Sequence, residues 1–221
     1  MAANSLEHRT PRILPAGDRS VLVDPDDEAD LSMFVDALRF GLPDGVHDVL
    51  PAARTVLVTL TEAADRTAVT ERLRRMLGET GTFAGEARAR AEDEVVTIPV
   101  RYQGPDLEDV AAHLGIGVRE VITAHTGALW RCSFVGFAPG FGYLESAESP
   151  LAVPRRVESR TSVPAGSVAL ADGYSAVYPR RSPGGWQLIG STDIDLWDLA
   201  RAEPSLLRPG TKVRFIEEAG A

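Results

Sequence analysis

Apolar residues recur in two rhythms along the chain. Near the start, Arg12–Leu14 and Ser20–Val23 are short apolar runs split by Gly17-Asp18, a hairpin-type turn signal. Leu31, Phe34, Val35, Leu38 and Leu42 follow at helical spacing until Pro43 stops the pattern. Thr55–Leu60 (TVLVTL) is β-branched and strand-like, and Val69, Leu73, Met76 and Leu77 mark a second helix ended by Gly78. These segments predict a small α+β domain of two strand pairs and two helices over residues 1–88, with the apolar positions as its core.

The stretch Ala84–Glu94 (AGEARARAEDE) holds no large apolar side chain to bury and reads as a connector. Beyond it the pattern changes. Val95–Tyr102 (VVTIPVRY) predicts a strand, and two short helices follow. Asp106 is placed to cap the first, with Glu108 and Asp109 in the turn that the helix dipole favours for acids and Gly115 at its end. The second runs from about Val118 to His125 and stops at Gly127. Then come short β-rich runs punctuated by Gly and Pro: Trp130–Phe137, Val163–Leu170, Ser175–Tyr178, Trp186–Ile189 and Lys212–Ile216. That spacing predicts a mostly antiparallel sheet closed into a barrel over residues 95–218. The expected class is α+β, a small N-terminal α+β domain followed by a β-barrel.

Composition narrows the function classes. With 221 residues the chain can bury a sizeable core without staples. Its single cysteine, Cys132, excludes an internal disulfide and an all-cysteine metal cage. The net charge of −9 argues against nucleic acid as a partner. No apolar run approaches the roughly 18 residues of a membrane span, and no secretory signal is visible in Met1–Gly17, so a cytoplasmic protein is expected. The sequence has no G-x-x-x-x-G-K-[ST] loop, no G-x-G-x-x-G after a strand and no G-x-S-x-G elbow. The four histidines show no metal-binding spacing, so no metal is expected.

Three segments carry more special residues than a barrel needs. Gly136–Leu144 (GFAPGFGYL) packs three glycines, a proline and three aromatics into nine positions. Glycines let a backbone approach a ligand and aromatics supply flat walls, although a loop pinned by its own rings has the same composition. Pro154–Ser167 contributes Arg155, Arg156 and Arg160, and Val177–Thr192 contributes Gly184-Gly185 followed by Trp186. Between Arg155 and Arg181, five arginines face Glu158 and Asp172, a net of +3 within an acidic chain. Arginine forks match carboxylates and phosphates, but pairing with the acidic first domain would explain them too. His125 has the same ambiguity. A cation in the last turn of a helix is favoured by the dipole, whereas a histidine titrating near pH ~6.5 suits general acid/base work.

Together these stretches resemble one family. Its members include the B subunit of ATP-dependent 5-oxoprolinase, the sporulation-kinase inhibitor, allophanate hydrolase subunit 1, and one half (subdomains C and D) of the carboxyltransferase domain of urea carboxylase. The matching stretches are IPVRY at Ile98–Tyr102, GPDL at Gly104–Leu107, His125-Thr126, GFAPGFGYL, VPAGSV at Val163–Val168, Tyr178-Pro179, SPGGWQLIG at Ser182–Gly190 and LRPGTKVRF at Leu207–Phe215. Ser159 stands where the family usually has proline, and Ser175-Ala176 where it often has Thr-Gly.

The resemblance implies a cyclophilin-like barrel and one component of an ATP-dependent 5-oxoprolinase, an amidohydrolase that opens 5-oxo-L-proline to L-glutamate. It implies partners, homologues of that enzyme's C and A subunits, that complete the ATP site, and inactivity of this chain alone. A small anionic lactam or amide is then the expected substrate. His125 and Arg160 become candidate catalytic residues. Arg155, Phe141, Tyr143, Gly140, Gly184, Gly185 and Trp186 become candidate substrate-binding residues, with backbone N–H groups at Gly140–Gly142 and Gly184-Gly185 as oxyanion donors. Two alternatives stay open within the family: a protein inhibitor of a histidine kinase, and a component of a carboxyltransferase-hydrolase acting on urea or an amide.

Overall fold

The computed structural model describes residues 11–25, 28–78 and 95–218. The chain divides into two compact units, Met1–Glu92 and Asp93–Ala221. The Ala84–Glu94 connector lies outside the described residues.

In the first unit, β1 (Arg12–Pro15), β2 (Ser20–Asp24), β3 (Val46–Pro51) and β4 (Val56–Leu60) form one antiparallel sheet in the order β1-β2-β4-β3. The two expected strand pairs are therefore merged, because β2 pairs with β4. Strict alternation in these central strands sends Val21, Val23, Val56, Val58 and Leu60 to one face. Helix α1 (Glu28–Phe40) buries Leu31, Phe34, Val35 and Leu38 against that face, and α2 (Arg66–Gly78) adds Val69 and Leu73. Leu42 continues the helical spacing in sequence but lies beyond α1 and is half exposed.

In the second unit, β5 (Val95–Val100) leads into α3 (Leu107–Leu114) and α4 (Val118–Gly127). Then come β6 (Trp130–Val135), β7 (Gly142–Glu145), β8 (Arg160–Val163), β9 (Ser167–Ala171) and β10 (Tyr174–Val177). They are followed by β11 (Ser182–Gly184), β12 (Gln187–Ser191) and β13 (Lys212–Glu217). Seven strands form a sheet in the order β12-β9-β10-β7-β6-β13-β5, while β8 and β11 pair as a separate ribbon. The pairing is antiparallel except where β13 meets β5. The two edges of the sheet meet: Arg101 and Ser191 exchange backbone hydrogen bonds of 2.8 and 2.9 Å. The Arg101 guanidinium braces the seam from outside with paired 2.7 Å bonds to Asp193 and a 2.9 Å bond to Glu218. The sheet is thus nearly closed into a barrel, and closure removes the exposed edges that an open sheet would present.

Alternation assigns each strand two environments. Val168, Leu170, Val177, Leu144 and Ile189 join one apolar cluster with Val213, Phe215 and the helix residues Val110 and Val121. Their sequence neighbours Ala169, Ala171, Ala176, Tyr178 and Leu188 face the other way, into a second cluster with Phe141, Val163 and Trp186. Both faces of β9 are covered, and all five of its residues are buried. The second cluster is the one that carries the aromatic and arginine-rich segments.

Candidate functional site

The chain positions this second face by short, strongly specified turns. Between β9 and β10 the turn residues are Asp172 (φ 52°) and Gly173 (φ 85°), the left-handed pair of a type I′ hairpin that matches strand twist. The turn aims the Asp172 carboxylate at Arg155, 3.0 Å away. The segment bearing the arginines is stitched to the strand beside it: the Arg156 amide donates to the Gly185 carbonyl at 2.7 Å, and Gln187 Nε2 donates to the Pro154 carbonyl at 3.1 Å.

Phe141, Tyr143, Tyr178 and Trp186 meet edge to face, with Phe141 centroids 5.1 Å from Tyr143, 5.3 Å from Tyr178 and 5.6 Å from Trp186. Tyr143 and Trp186 are 5.5 Å apart. Such T-shaped contacts lock ring orientation beyond what area burial does. Gly184 lies flat under the Tyr178 phenol, where a β-carbon would collide with the hydroxyl. A β-carbon at Gly185 would reach 2.7 Å from the Ser159 hydroxyl. Gly140 (φ 81°) has a conformational and steric reason of its own, being pressed against the Leu196 carbonyl and the Trp197 stem. In its loop the Phe141 amide is already taken by the Ala138 carbonyl at 3.0 Å. Phe137 adopts φ 65°, unusual for a bulky side chain, and keeps its ring 58% exposed at the rim, 5.2 Å from Phe141.

Three arginines border these rings. The Arg155 guanidinium lies 5.9 Å from the Trp186 ring centroid, and its side chain is 58% exposed. Arg156 and Arg160 turn instead to Asp106: Arg156 Nη1 and Arg160 Nη2 each donate to Asp106 Oδ1 at 2.7 Å. Asp106 Oδ2 accepts the Leu188 amide at 2.6 Å, so the carboxylate is saturated and only 2% exposed. Burial raises the Tyr178 hydroxyl above its usual range, opposed by a hydrogen bond from the Trp186 backbone and by the charges of Arg155 and Arg160. Burial likewise raises Tyr143, opposed by Arg155. Both phenols are therefore neutral donors at ordinary pH.

His125 lies elsewhere. Its ring touches Phe215 on β13 (4.2 Å, stacked) and Trp130 on β6 (5.1 Å), and its Nε2 meets Ser175 Oγ on β10 at 2.8 Å. Strands β10 and β13 are not neighbours in the sheet, so only its concave face brings them to one side chain. Nδ1 meets the Tyr102 hydroxyl at 2.6 Å, and the residue is fully buried. Burial pushes the imidazole down to about 3, so the ring is neutral. The structure thus gathers Arg155, Arg160, Phe141, Tyr143, Gly184, Gly185 and Trp186 on one face. It leaves His125 on the other, so the two candidate catalytic residues, His125 and Arg160, lie on opposite faces of the sheet.

Two residues on the arginine face, Asp106 and Tyr178, have roles that local sequence does not announce. Asp106 has the sequence position of a helix cap, yet its carboxylate makes no cap hydrogen bond to α3 and takes partners 50, 54 and 82 residues away. Tyr178 stands out in sequence only as part of a Tyr-Pro pair. The Asp172-Gly173 dipeptide is a standard hairpin signal, and it is the cue that finds that turn. Among the described residues no group of three or more His, Cys, Asp or Glu is placed to hold a metal ion. Among the described residues, too, no helix is long and apolar enough to cross a membrane.

Residues 11–207 match the family model described as carboxyltransferase domain, subdomain C and D. The chain belongs to this family. The 5-oxoprolinase B subunit of Escherichia coli O157:H7 is 46% identical over 151 residues, which are 67% of this chain and 66% of that protein. The 5-oxoprolinase B subunit of Bacillus subtilis is 44% identical over 125 residues, 55% of this chain and 52% of its own. The matched region therefore spans between half and two thirds of the length of these curated relatives. The crystal structure of TTHA0988 superposes with a TM-score of 0.72 at 34% identity, covering 92% of this chain and 41% of that one. The family match therefore runs through both units of this chain.

Proposed function

We propose that this chain is the B-type component of an ATP-dependent 5-oxoprolinase, and that the face of Arg155 and Trp186 holds 5-oxo-L-proline. The observation that carries the reading is the half-exposed Arg155 guanidinium beside the Trp186 ring, in a chain 46% identical to a 5-oxoprolinase B subunit. The substrate is a flat five-membered lactam with one carboxylate. A planar guanidinium suits the carboxylate, and the edge-to-face wall of Phe141, Tyr143 and Trp186 suits the ring. Tyr143 and Tyr178, kept neutral by burial, are hydroxyl donors for the lactam oxygen.

Opening the ring adds water to the lactam carbonyl carbon and breaks its bond to nitrogen, which leaves as the amine of glutamate. The carbonyl is a poor electrophile. Transfer of the γ-phosphoryl group from ATP to its oxygen, with release of ADP, supplies the activation. Ring opening by the first water then leaves a glutamyl acyl phosphate, which a second water cleaves to glutamate and inorganic phosphate. The nucleotide site falls to partners of the A and C types, since this chain lacks a phosphate loop. His125 has no part in the proton transfers. Both its ring nitrogens are taken, and the ring is enclosed.

The test is reconstitution of the chain with its C-type and A-type partners, followed by glutamate release from 5-oxo-L-proline in the presence of ATP. The complex should turn over and the chain alone should not. Arg155→Gln should raise KM by about tenfold, equivalent to roughly 1.4 kcal/mol, with an unchanged melting temperature. A complex that makes no glutamate, or an Arg155→Gln variant with unaltered KM, would refute the reading.

A further inference from the structure

Two guanidiniums and one carboxylate make a cluster of formal charge +1 around Asp106, separate from Arg155 and its partner Asp172. The bonding is lopsided. Both arginines spend one N–H on the same oxygen, Oδ1, and the other carboxylate oxygen is closed by the Leu188 amide. Arg160 Nη1 and Arg156 Nε are left buried and without a hydrogen-bond partner. A buried donor left unmade costs free energy, and two of them on adjacent arginines are the donor set that an oxyanion fills. The segment that carries these arginines is held in place: Gly185 packs against Ser159, where a β-carbon would come within 2.7 Å of the hydroxyl, and the Arg156 amide is fixed to the Gly185 carbonyl.

We propose that Arg156 and Arg160 form a second anion subsite, for a phosphoryl-type oxyanion, and that Asp106 is its positioning residue. Asp106 touches no ligand in this arrangement. It holds two mutually repelling cations side by side with their spare N–H groups unpaired, and the Leu188 amide fixes the carboxylate in turn. The inference rests on the proposed function only for the identity of the anion. In that reading Arg155 takes the substrate carboxylate, and this subsite takes the phosphoryl group that activates the lactam.

Charge and geometry predict opposite signs for one substitution. Asp106→Asn raises the formal charge of the cluster from +1 to +2. If the subsite worked by net charge alone, the variant would bind inorganic phosphate more tightly. If Asp106 positions the forks, binding weakens despite the added charge, by about tenfold or more. The experiment titrates the full-length chain with inorganic phosphate, read by tryptophan fluorescence, in the wild type, Asp106→Asn, Arg156→Lys and Arg160→Lys. Arg160→Lys and Arg156→Lys keep the charge and lose the planar fork, so each should weaken phosphate binding about tenfold, and they cover the case in which Asp106→Asn fails to fold. Tighter binding in Asp106→Asn, undiminished binding in both lysine variants, or no saturable response in the wild type overturns the proposal. Titration with 5-oxo-L-proline separates it from the functional reading. Phosphate binding that depends on Arg156 and Arg160, without lactam binding at Arg155, would keep the subsite and sink the substrate.

Discussion

Tyr174 and Ser175 are neighbours on one strand, yet they serve two environments. The ring of Tyr174 joins Phe134 and Tyr143, each 5.8 Å away, on the face that carries the arginines. The Ser175 hydroxyl points the other way to His125. On the His125 face every polar atom of the ring is matched: two nitrogens, two hydroxyls, and the residue's carbonyl capped by Trp130 Nε1 at 2.9 Å. On the arginine face the carboxylate is saturated while two guanidinium nitrogens are not. A buried polar group with every partner in place stabilises one conformation and has nothing left to offer a ligand. A buried group with donors to spare is kept at a cost, and that cost points to binding.

The largest effect expected from breaking this contrast is on stability. His125→Ala should remove about 3–5 kcal/mol, since it opens a cavity beside Phe215 and Trp130 and strands the Tyr102 and Ser175 hydroxyls. Activity per folded molecule in the reconstituted complex should survive. Denaturant unfolding beside turnover is the check. A variant of wild-type stability that has lost turnover would return His125 to the chemistry and erase the distinction between the faces.

The sequence carries some of this division and hides the rest. Leu31, Phe34, Val35 and Leu38 form the buried stripe that their helical spacing predicts, because a helix against a sheet repeats with its own local period. Strand β3 escapes a pattern search because a register shift between Val46 and Asp48 breaks its alternation, and only its two ends are buried. The parallel pairing of β5 and β13 joins residues more than a hundred positions apart, and no local signal specifies it. The arginine face is legible as an excess of positive charge and rings. Asp106 is not, because a single aspartate before a helix has a sufficient local explanation in capping, and its partners come from two distant segments. His125 is misplaced by sequence for the same reason. The helix dipole explains a histidine in a last turn, but the hydroxyls that hold it belong to Tyr102 and Ser175, which only the closed sheet brings together.

A smaller effect should appear in the pH dependence of stability. The folded His125 titrates near 3, against 6.5 for the unfolded chain. The folded state therefore excludes a proton that the unfolded state accepts. Stability is full above about pH 6.5 and falls as pH drops below it, by up to about 1.4 kcal/mol per pH unit. Between pH 6.5 and 5 few carboxylates titrate, and comparison with a His125 variant cancels whatever the other three histidines contribute. Unfolding free energies of wild type and His125→Gln should converge as pH falls through it. Parallel curves would mean that the wild-type imidazole takes up its proton without unfolding, and that the two faces do not differ as drawn.

The smallest effect tests the arginine face where it is most exposed. Arg155 and Asp172 pair at 3.0 Å with more than half of each side chain in solvent. An exposed pair contributes little, so Asp172→Asn should change stability by less than about 1 kcal/mol. Asparagine also tolerates the left-handed backbone of the Asp172-Gly173 turn, so the hairpin keeps its shape. The informative readout is KM in the reconstituted complex. If Arg155 leaves Asp172 to meet the substrate carboxylate, removing the competing acid lowers KM severalfold without changing kcat. If Asp172 instead holds Arg155 over Trp186, KM rises, and Arg155 joins Arg156 and Arg160 as a cation fixed in place by an aspartate. An unchanged KM would separate Arg155 from the substrate altogether and leave the Asp106 cluster as the anion site of this face.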